Sequence, residues 1–191
     1  MRPVFEPTSL KGRLLVALPP LVDENFDRTV VLLLEHSESG ALGVVLNRPG
    51  ERRIDDVLGQ WAPHASAPAV LFQGGPVETE SIIGVATCAA GDEAGDSHWA
   101  PVFDTIGTVD LSVPPDEHDP PIDALRLFVG YAGWGPTQLE GELRAGAWIV
   151  ADFSMADLFA SEPAELWRVV LRRQGGRIAW MANYPDDLSV N

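Results

Sequence analysis

The stretch TVVLLLEHSESGALGVVLN, residues 29–47, predicts two strands joined by a turn. β-Branched residues and leucines run from Thr29 to Glu35, and a second such run begins at Gly43. HSESG between them supplies turn residues, with a loop somewhat longer than the tightest hairpin types. We therefore expect a β-hairpin with mostly buried strands.

Further strands are predicted on both sides of this hairpin. Apolar runs of strand length occupy the ranges 13–17, 70–72, 82–87, 125–131 and 148–151, and a last strand is predicted at 178–181. QGGPVETES, residues 73–81, is expected to be a turn because Gly74, Gly75 and Pro76 accept turn conformations. Residues 91–121 lack a clear period, and PPDEHDPP, residues 114–121, predicts a loop.

Helical signals are short and concentrate in the second half of the chain. IDDVLGQW from Ile54 and QLEGELRAG from Gln138 each predict a brief helix. Ser154 and Asp157 have capping-box spacing, and a longer helix is expected to follow Ser161 and to end at Gly175. Strands that come first in hairpins, with helices later, predict an α+β fold with a mixed sheet, in one domain over residues 1–191. A doubly wound nucleotide-binding fold is the alternative.

Composition restricts the classes of partner and the compartment. The formal net charge of −15 opposes binding to a phosphate backbone, so we do not expect direct DNA binding. Four arginines, at positions 168, 172, 173 and 177, form either a solvated helix face or a local basic patch. Cys88 is the only cysteine, and the apolar run at 14–18 is too short for a signal peptide or a membrane span. We expect a soluble, cytoplasmic monomer without membrane association.

Motifs for familiar chemistry are missing from the sequence. Gly74 and Gly75 are not followed by the Lys-Ser or Lys-Thr of a phosphate loop, and GYAGWG at 130–135 lacks the long helix of a dinucleotide fingerprint. The four histidines are far apart, and the acidic stretches at 92–98 and 116–119 lack the spacing of a calcium loop, which favours solvated loops. No GxSxG elbow occurs, and Cys88 lies in an apolar strand. We therefore predict no cofactor, no metal and no catalytic residue.

Polar residues at the ends of apolar strands are the better candidates for a site. Glu35 and His36 end one strand of the hairpin, and Asn47 and Arg48 end the other. A second group, composed of Trp134, Gln138 and Glu142, lies in the glycine-rich stretch at 128–150. Gln138 and Glu142 share one face of a helical turn, which suits either a shared ligand or mutual support. The alternative is that Trp134 and Trp148 anchor the core while Gln138 satisfies backbone groups.

Three motifs resemble the YqgE/AlgH family of bacterial proteins, sometimes described as transcriptional regulators. They are DENFDRTVVLLLEHSESGALGVVLNRP at 23–49, FQGGPV at 72–77 and VGYAGWGPTQLEGELRAGAWIV at 129–150. The resemblance implies an α+β fold with a large mixed, partly barrel-like sheet and flanking helices. It marks a shared site without a mechanism, and the candidate binding residues it supports are Arg28, Glu35, His36, Asn47, Arg48, Gly74, Gly75, Trp134, Gln138 and Glu142.

The function predicted at this point is that of a non-enzymatic protein that binds a small ligand or a protein partner. Two alternatives remain open. One is a transcriptional regulator that acts through protein partners, or through a patch at Arg168, Arg172 and Arg173. The other is a hydrolase that uses His36 and Glu35 brought together by the fold.

Overall fold

The computed structural model describes residues 9–19, 23–89, 98–119 and 121–184. Its strands are β1 (Leu14–Ala17), β2 (Val30–Ser37), β3 (Gly40–Val45), β4 (Pro49–Arg53), β5 (Val70–Gln73), β6 (Val77–Cys88), β7 (Trp99–Phe103), β8 (Ile106–Val109), β9 (Ile122–Trp134) and β10 (Trp148–Ala151). Its α-helices are α1 (Ile54–Leu58), α2 (Gln138–Arg144), α3 (Met155–Leu158), α4 (Leu166–Gln174) and α5 (Gly176–Met181).

The ten strands form one strongly curled sheet that resembles half of a barrel. The main path runs β10-β1-β2-β3-β9-β6-β8-β7, and its neighbours are antiparallel. β5 pairs with β9 in parallel and with β4 in antiparallel orientation, so the sheet is mixed. The α+β fold with a large mixed, partly barrel-like sheet in a single domain is thereby confirmed.

The two faces of the sheet are buried differently. One apolar cluster extends continuously from Leu14 in β1 to Ile106 in β8, and the helices α3, α4 and α5 cover it with side chains that include Trp167 and Val170. On the opposite face, α2 covers β1, β2, β3 and β10, while α1 and the turn that contains Trp61 cover the remaining strands. A single cluster on one face and two separate clusters on the other fit a sheet that curls around its C-terminal helices.

β9 lies at the centre of the sheet and has two different neighbours along one edge. β5 pairs with Phe128 and Val129, and β3 pairs with residues 132–134. β6 pairs along the opposite edge from Ile122 to Tyr131. Residues 74–76, which connect β5 to β6, therefore cross the face of β9. They cross between the part of β9 that pairs with β5 and the part that pairs with β3.

This crossing requires glycine in both segments, the connection at 74–76 and β9. A Cβ on Gly74 would lie 2.2 Å from the Gly130 carbonyl oxygen, and one on Gly75 would lie 2.2 Å from the Tyr131 carbonyl carbon. Gly75 and Gly130 also have positive φ angles, +155° and +68°, which side chains disfavour. The predicted turn at 73–81 is thus corrected: it does not join two paired strands, because β9 lies between β5 and β6.

Three other sequence expectations differ from the structure. The hairpin loop contains only two residues, Glu38 and Ser39, because β2 and β3 pair as far as Ser37 and Gly40. Within the stretch expected to be irregular, β7 and β8 form a hairpin. The predicted last strand at 178–181 is the helix α5, whose Ile178 and Met181 lie one turn apart and pack on the inner cluster.

The predicted strands at 13–17, 29–35, 125–131 and 148–151 are otherwise confirmed, as are the helices at Ile54, at Gln138 and after Ser154. No described helix has the length and apolar character needed to cross a bilayer.

Candidate functional site

The glycine-rich corner is a closed hydrogen-bond network centred on Glu142. Its Oε2 accepts the indole N–H of Trp134 at 2.8 Å and that of Trp148 at 2.7 Å. Its Oε1 accepts Gln138 Nε2 at 3.0 Å, and Gln138 Oε1 accepts the Gly135 amide at 3.0 Å. One carboxylate on α2 therefore ties β9 to β10 through two charge-assisted hydrogen bonds.

Aromatic packing completes this corner. Phe26 stacks on Trp134 with ring centroids 6.2 Å apart and meets Trp148 edge-on at 5.4 Å. Both indoles are buried among the apolar residues that α2 covers. The polar groups of Trp134, Trp148 and Glu142 satisfy one another, so this geometry favours the interpretation of the tryptophans as core anchors.

His36 and Glu35 are not brought together. A bulge at Leu34 precedes them, and as consecutive strand residues they point to opposite faces of β2. Glu35 lines a cavity of about 360 Å³ beside Leu34 and Leu42, whereas His36 lies under α2. The pair cannot act on one substrate, so the hydrolase hypothesis loses the residues on which it was based.

His36 instead connects the N-terminal segment to α2. Its Nδ1 accepts the Leu10 amide at 2.9 Å, which requires the proton of the neutral ring to lie on Nε2. That nitrogen lies 3.0 Å from Glu140 Oε1. A backbone hydrogen bond, aided by His36, lowers the pKa of the Glu140 carboxyl.

Asn47 and Arg28 organise the entry to β2. The Asn47 side chain accepts the Val30 amide at 2.9 Å and donates to the Arg28 carbonyl at 2.8 Å, which closes the base of the hairpin. Arg28 has a positive φ of 53°, and its guanidinium carbon lies 5.4 Å from the centroid of the Trp167 ring. Both residues hold backbone or ring partners within the fold.

Arg48 lines a cavity. A space of about 350 Å³ opens where β3 and β5 separate on the edge of β9, and its described lining residues are Asn25, Val45, Arg48, Gln73, Gly75, Pro76, Thr79 and Val129. Of the ten candidate residues, this cavity contains Arg48 and Gly75, and Gly74 borders it through hydrogen bonds to Val45 and Val129. The glycine crossing thus forms one wall of the cavity.

Backbone carbonyls hold the Arg48 guanidinium in place. Nη1 and Nη2 donate to the Glu24 carbonyl at 3.3 and 3.2 Å, and Nη2 also donates to the Asp27 carbonyl at 3.2 Å. Within the described ranges, no carboxylate pairs with Arg48. Its positive charge is therefore positioned by dipoles and is not neutralised by an ion pair.

A second cavity adjoins the first. It has a volume of about 460 Å³ and is lined by Pro49, Gly50, Glu51, Arg52, Leu71, Phe72, Gln73 and Val129. Gln73 and Val129 line both spaces, so the two cavities meet along the end of β5.

Sequence reasoning missed three polar residues of the first cavity: Asn25, Gln73 and Thr79. Asn25 and Gln73 stand inside the motifs that carry the family resemblance, at 23–49 and 72–77, and this was the available signal. Thr79 belongs to a bulged part of β6 between Val77 and Ile82, which the sequence predicted as a turn.

Arg126 was also missed, because it lies within an apolar strand sequence. The residue is 1% exposed, and its guanidinium donates to the carbonyls of Ala67 and Ala160 at 2.6 and 3.1 Å. The guanidinium carbon lies 4.3 Å from the centroid of the Phe72 ring. Burial lowers its pKa to about 10. These contacts join β9 to the segment between α3 and α4, through Ala160, and to the segment before β5, through Ala67.

The arginines of the C-terminal helices differ in their contacts. Arg173 makes two hydrogen bonds to Asp157, at 2.9 and 2.8 Å, and a third to the Asp152 carbonyl at 2.9 Å. Arg168 lies against Trp167. The described residues contain no group of three or more metal-ligating side chains, and residues 92–96 of the acidic stretch lie outside the described ranges.

The curled mixed sheet, with helices inside and a glycine crossing beside an open cavity, defines a single-domain α+β protein with a polar pocket at its central strand. The chain belongs to the AlgH-like family (DUF179), whose model matches residues 14–179.

Known relatives agree with this assignment over almost the whole chain. A UPF0301 protein of Streptomyces coelicolor is 52% identical, with 100% of both chains covered. The crystal structure of a Corynebacterium diphtheriae protein superposes with a TM-score of 0.85 at 32% identity, covering 93% of each chain. The solution structure of the AlgH protein of Pseudomonas aeruginosa, a UPF0301 protein, gives 0.68 at 28% identity, covering 95% of this chain and 97% of that one.

Proposed function

We propose that this protein is a non-enzymatic binding protein and that its ligand site is the cavity beside Arg48 and Gly75. One observation carries the proposal. In the family motifs, the residues at the corner satisfy one another, whereas Arg48 lines an open cavity with Asn25, Gln73 and Thr79.

The composition of the cavity supports binding over catalysis. Its eight described lining residues include no His, Cys, Asp, Glu or Lys, the side chains most often used for proton transfer and covalent catalysis. Its volume of about 350 Å³ falls within the range of small-molecule sites. We also propose a cytoplasmic location, which the single cysteine supports because no intrachain disulfide can form.

A cavity-blocking variant tests this site. A fluorine NMR screen with fragments of mixed charge would be run on the parent protein, on Thr79→Trp and on Glu80→Trp. Thr79 lines the cavity, and its neighbour Glu80 on the same strand does not, so the second variant controls for adding an indole to β6. We expect fragments that bind the parent and Glu80→Trp but not Thr79→Trp. If no fragment shows this pattern, the cavity is not a ligand site.

Action through a protein partner is a second candidate function, and one observation favours it. Trp180 on α5 is 80% exposed, and Tyr184 and Arg177 nearby in the chain are also exposed. Tryptophan, tyrosine and arginine are the residues most enriched at the centres of protein interfaces. A photoreactive residue at position 180 is expected to crosslink one defined protein in cells, and the same residue at Glu38 is not. Equal crosslinking from both positions would contradict a partner surface on α5.

A further inference from the structure

The charges around the cavity beside Arg48 indicate which ligands it takes, and this step depends on the function proposed above. We infer that the ligand is a small molecule with a terminal oxyanion group, a carboxylate or a phosphate, bound by the Arg48 guanidinium.

The Arg48 guanidinium forms no ion pair with a described carboxylate, unlike three other arginines of the protein. Arg13, Arg53 and Arg173 each pair with a carboxylate, of Asp152, Asp55 and Asp157 respectively. Arg48 contacts only carbonyl oxygens among the described residues, so its full charge remains available to a ligand. A guanidinium has five N–H donors, and these hydrogen bonds use one donor of Nη1 and two of Nη2. The Nε donor and the second Nη1 donor remain for an oxyanion, each as a single hydrogen bond.

The other polar side chains of the described lining are uncharged. Asn25, Gln73 and Thr79 provide amide and hydroxyl donors, and no carboxylate belongs to the described lining. None of these three side chains makes a hydrogen bond to another described protein group. A site with one uncompensated cation, neutral donors and no anion favours an anionic ligand over a cationic one.

The adjoining cavity accommodates the body of such a ligand. Because Gln73 and Val129 line both spaces, a molecule longer than one cavity can lie along the end of β5. Pro49, Gly50, Leu71 and Phe72 contribute to the walls of the second space. Glu51 and Arg52 also line it, so the second space has charged as well as apolar walls. We therefore expect the oxyanion at Arg48 and the rest of the ligand beyond Gln73.

A matched pair of probes separates charge from shape. Succinate and its uncharged analogue succinamide would be titrated into isotope-labelled protein at constant ionic strength, with inorganic phosphate as a third probe, while the backbone amide resonances of Gly75 and Thr79 are followed. We expect succinate or phosphate to bind at least tenfold more tightly than succinamide. Preference for succinate alone or phosphate alone identifies the oxyanion.

Two variants assign the preference to Arg48. Arg48→Gln is expected to abolish it. Arg144→Gln, at an exposed arginine of α2 that lines neither cavity, is expected to retain it. Since Arg48 also holds the loop at 24–27, Arg48→Lys is added: it keeps the charge, and the preference is expected to persist in weaker form. The inference is overturned if neither anion is preferred over succinamide, or if the preference survives Arg48→Gln.

The two proposals fail in different ways. If neutral fragments bind in the Thr79-dependent manner but no anion is preferred, only the oxyanion inference is lost. If fragments of every charge fail to bind, the ligand site itself is lost.

Discussion

Glu142 shows how one side chain can determine the packing of two strands. Its carboxylate is the common acceptor for two buried indoles and one amide, from β9, β10 and α2 itself. A single carboxylate does this because each of its oxygens can accept more than one hydrogen bond.

We predict that Glu142→Gln lowers the free energy of unfolding by about 1–3 kcal/mol, because an amide provides one acceptor oxygen where the carboxylate has two. At least one of the present donors, the Trp134 or Trp148 indole or the Gln138 amide, then loses its acceptor. Urea denaturation followed by near-ultraviolet circular dichroism measures the change. Glu38→Gln in the exposed hairpin loop is the control and should match the parent. Equal stability of Glu142→Gln and the parent would show that the network does not hold the corner.

The crossing of residues 74–76 over β9 explains two motifs at the scale of elements. FQGGPV and VGYAGWG are distant in sequence, yet Gly74 and Gly75 lie directly against Gly130 and Tyr131. The absence of side chains at these positions allows the two backbones to touch.

We predict that Gly75→Ala lowers the free energy of unfolding by about 3 kcal/mol or more, since its Cβ meets the β9 backbone and its φ is positive. Gly141→Ala is the matched control. Gly141 lies in α2 with no atom within 4 Å of an added Cβ, so alanine there should stabilise the protein by up to about 1 kcal/mol. Chemical denaturation of both variants makes the comparison. Similar values for the two variants would contradict the close crossing.

The individual strands and helices were largely predictable from the sequence, whereas the order in which the strands lie side by side in the sheet was not. Strands such as 148–151 are continuous apolar runs, and the capping box at Ser154 and Asp157 is a local signal. The crossing at Gly75 depends on contacts with Gly130 and Tyr131 of β9, which come more than fifty residues later in the chain, and no local pattern encodes it. The sequence predicts a strand in place of α5 because the four residues IAWM are too few to distinguish the helical period of 3.6 residues from the strand period of two.

The same limit applies to the candidate site. The sequence identified Arg48 and Gly75 as candidate site residues. It could not show that other candidates lie elsewhere: in the hydrogen-bond network around Glu142, at the base of the hairpin, or beside a different cavity. Glu35 and His36 are adjacent in sequence and were grouped for that reason, although the pleat of β2 separates them.

Charge is unevenly distributed over the whole molecule. The chain has a formal net charge of −15, yet residues 166–184, which include α4 and α5, contain four arginines and no acidic residue. These helices also carry Trp180, which is 80% exposed, while the other five tryptophans are at most 6% exposed. The fluorescence that a quencher in solution can reach therefore comes from a single residue in the basic segment.

This arrangement predicts a difference between two ionic quenchers. At low ionic strength, we expect iodide to quench the accessible fluorescence more than caesium does, after each is normalised to a small free indole, because the nearby arginines determine the local potential despite the negative net charge. Trp180→Phe should remove most of the quenching by either ion, and Arg177→Glu should reduce the advantage of iodide. Stronger quenching by caesium in the parent protein would mean that the negative net charge, and not the nearby arginines, determines the potential at α5.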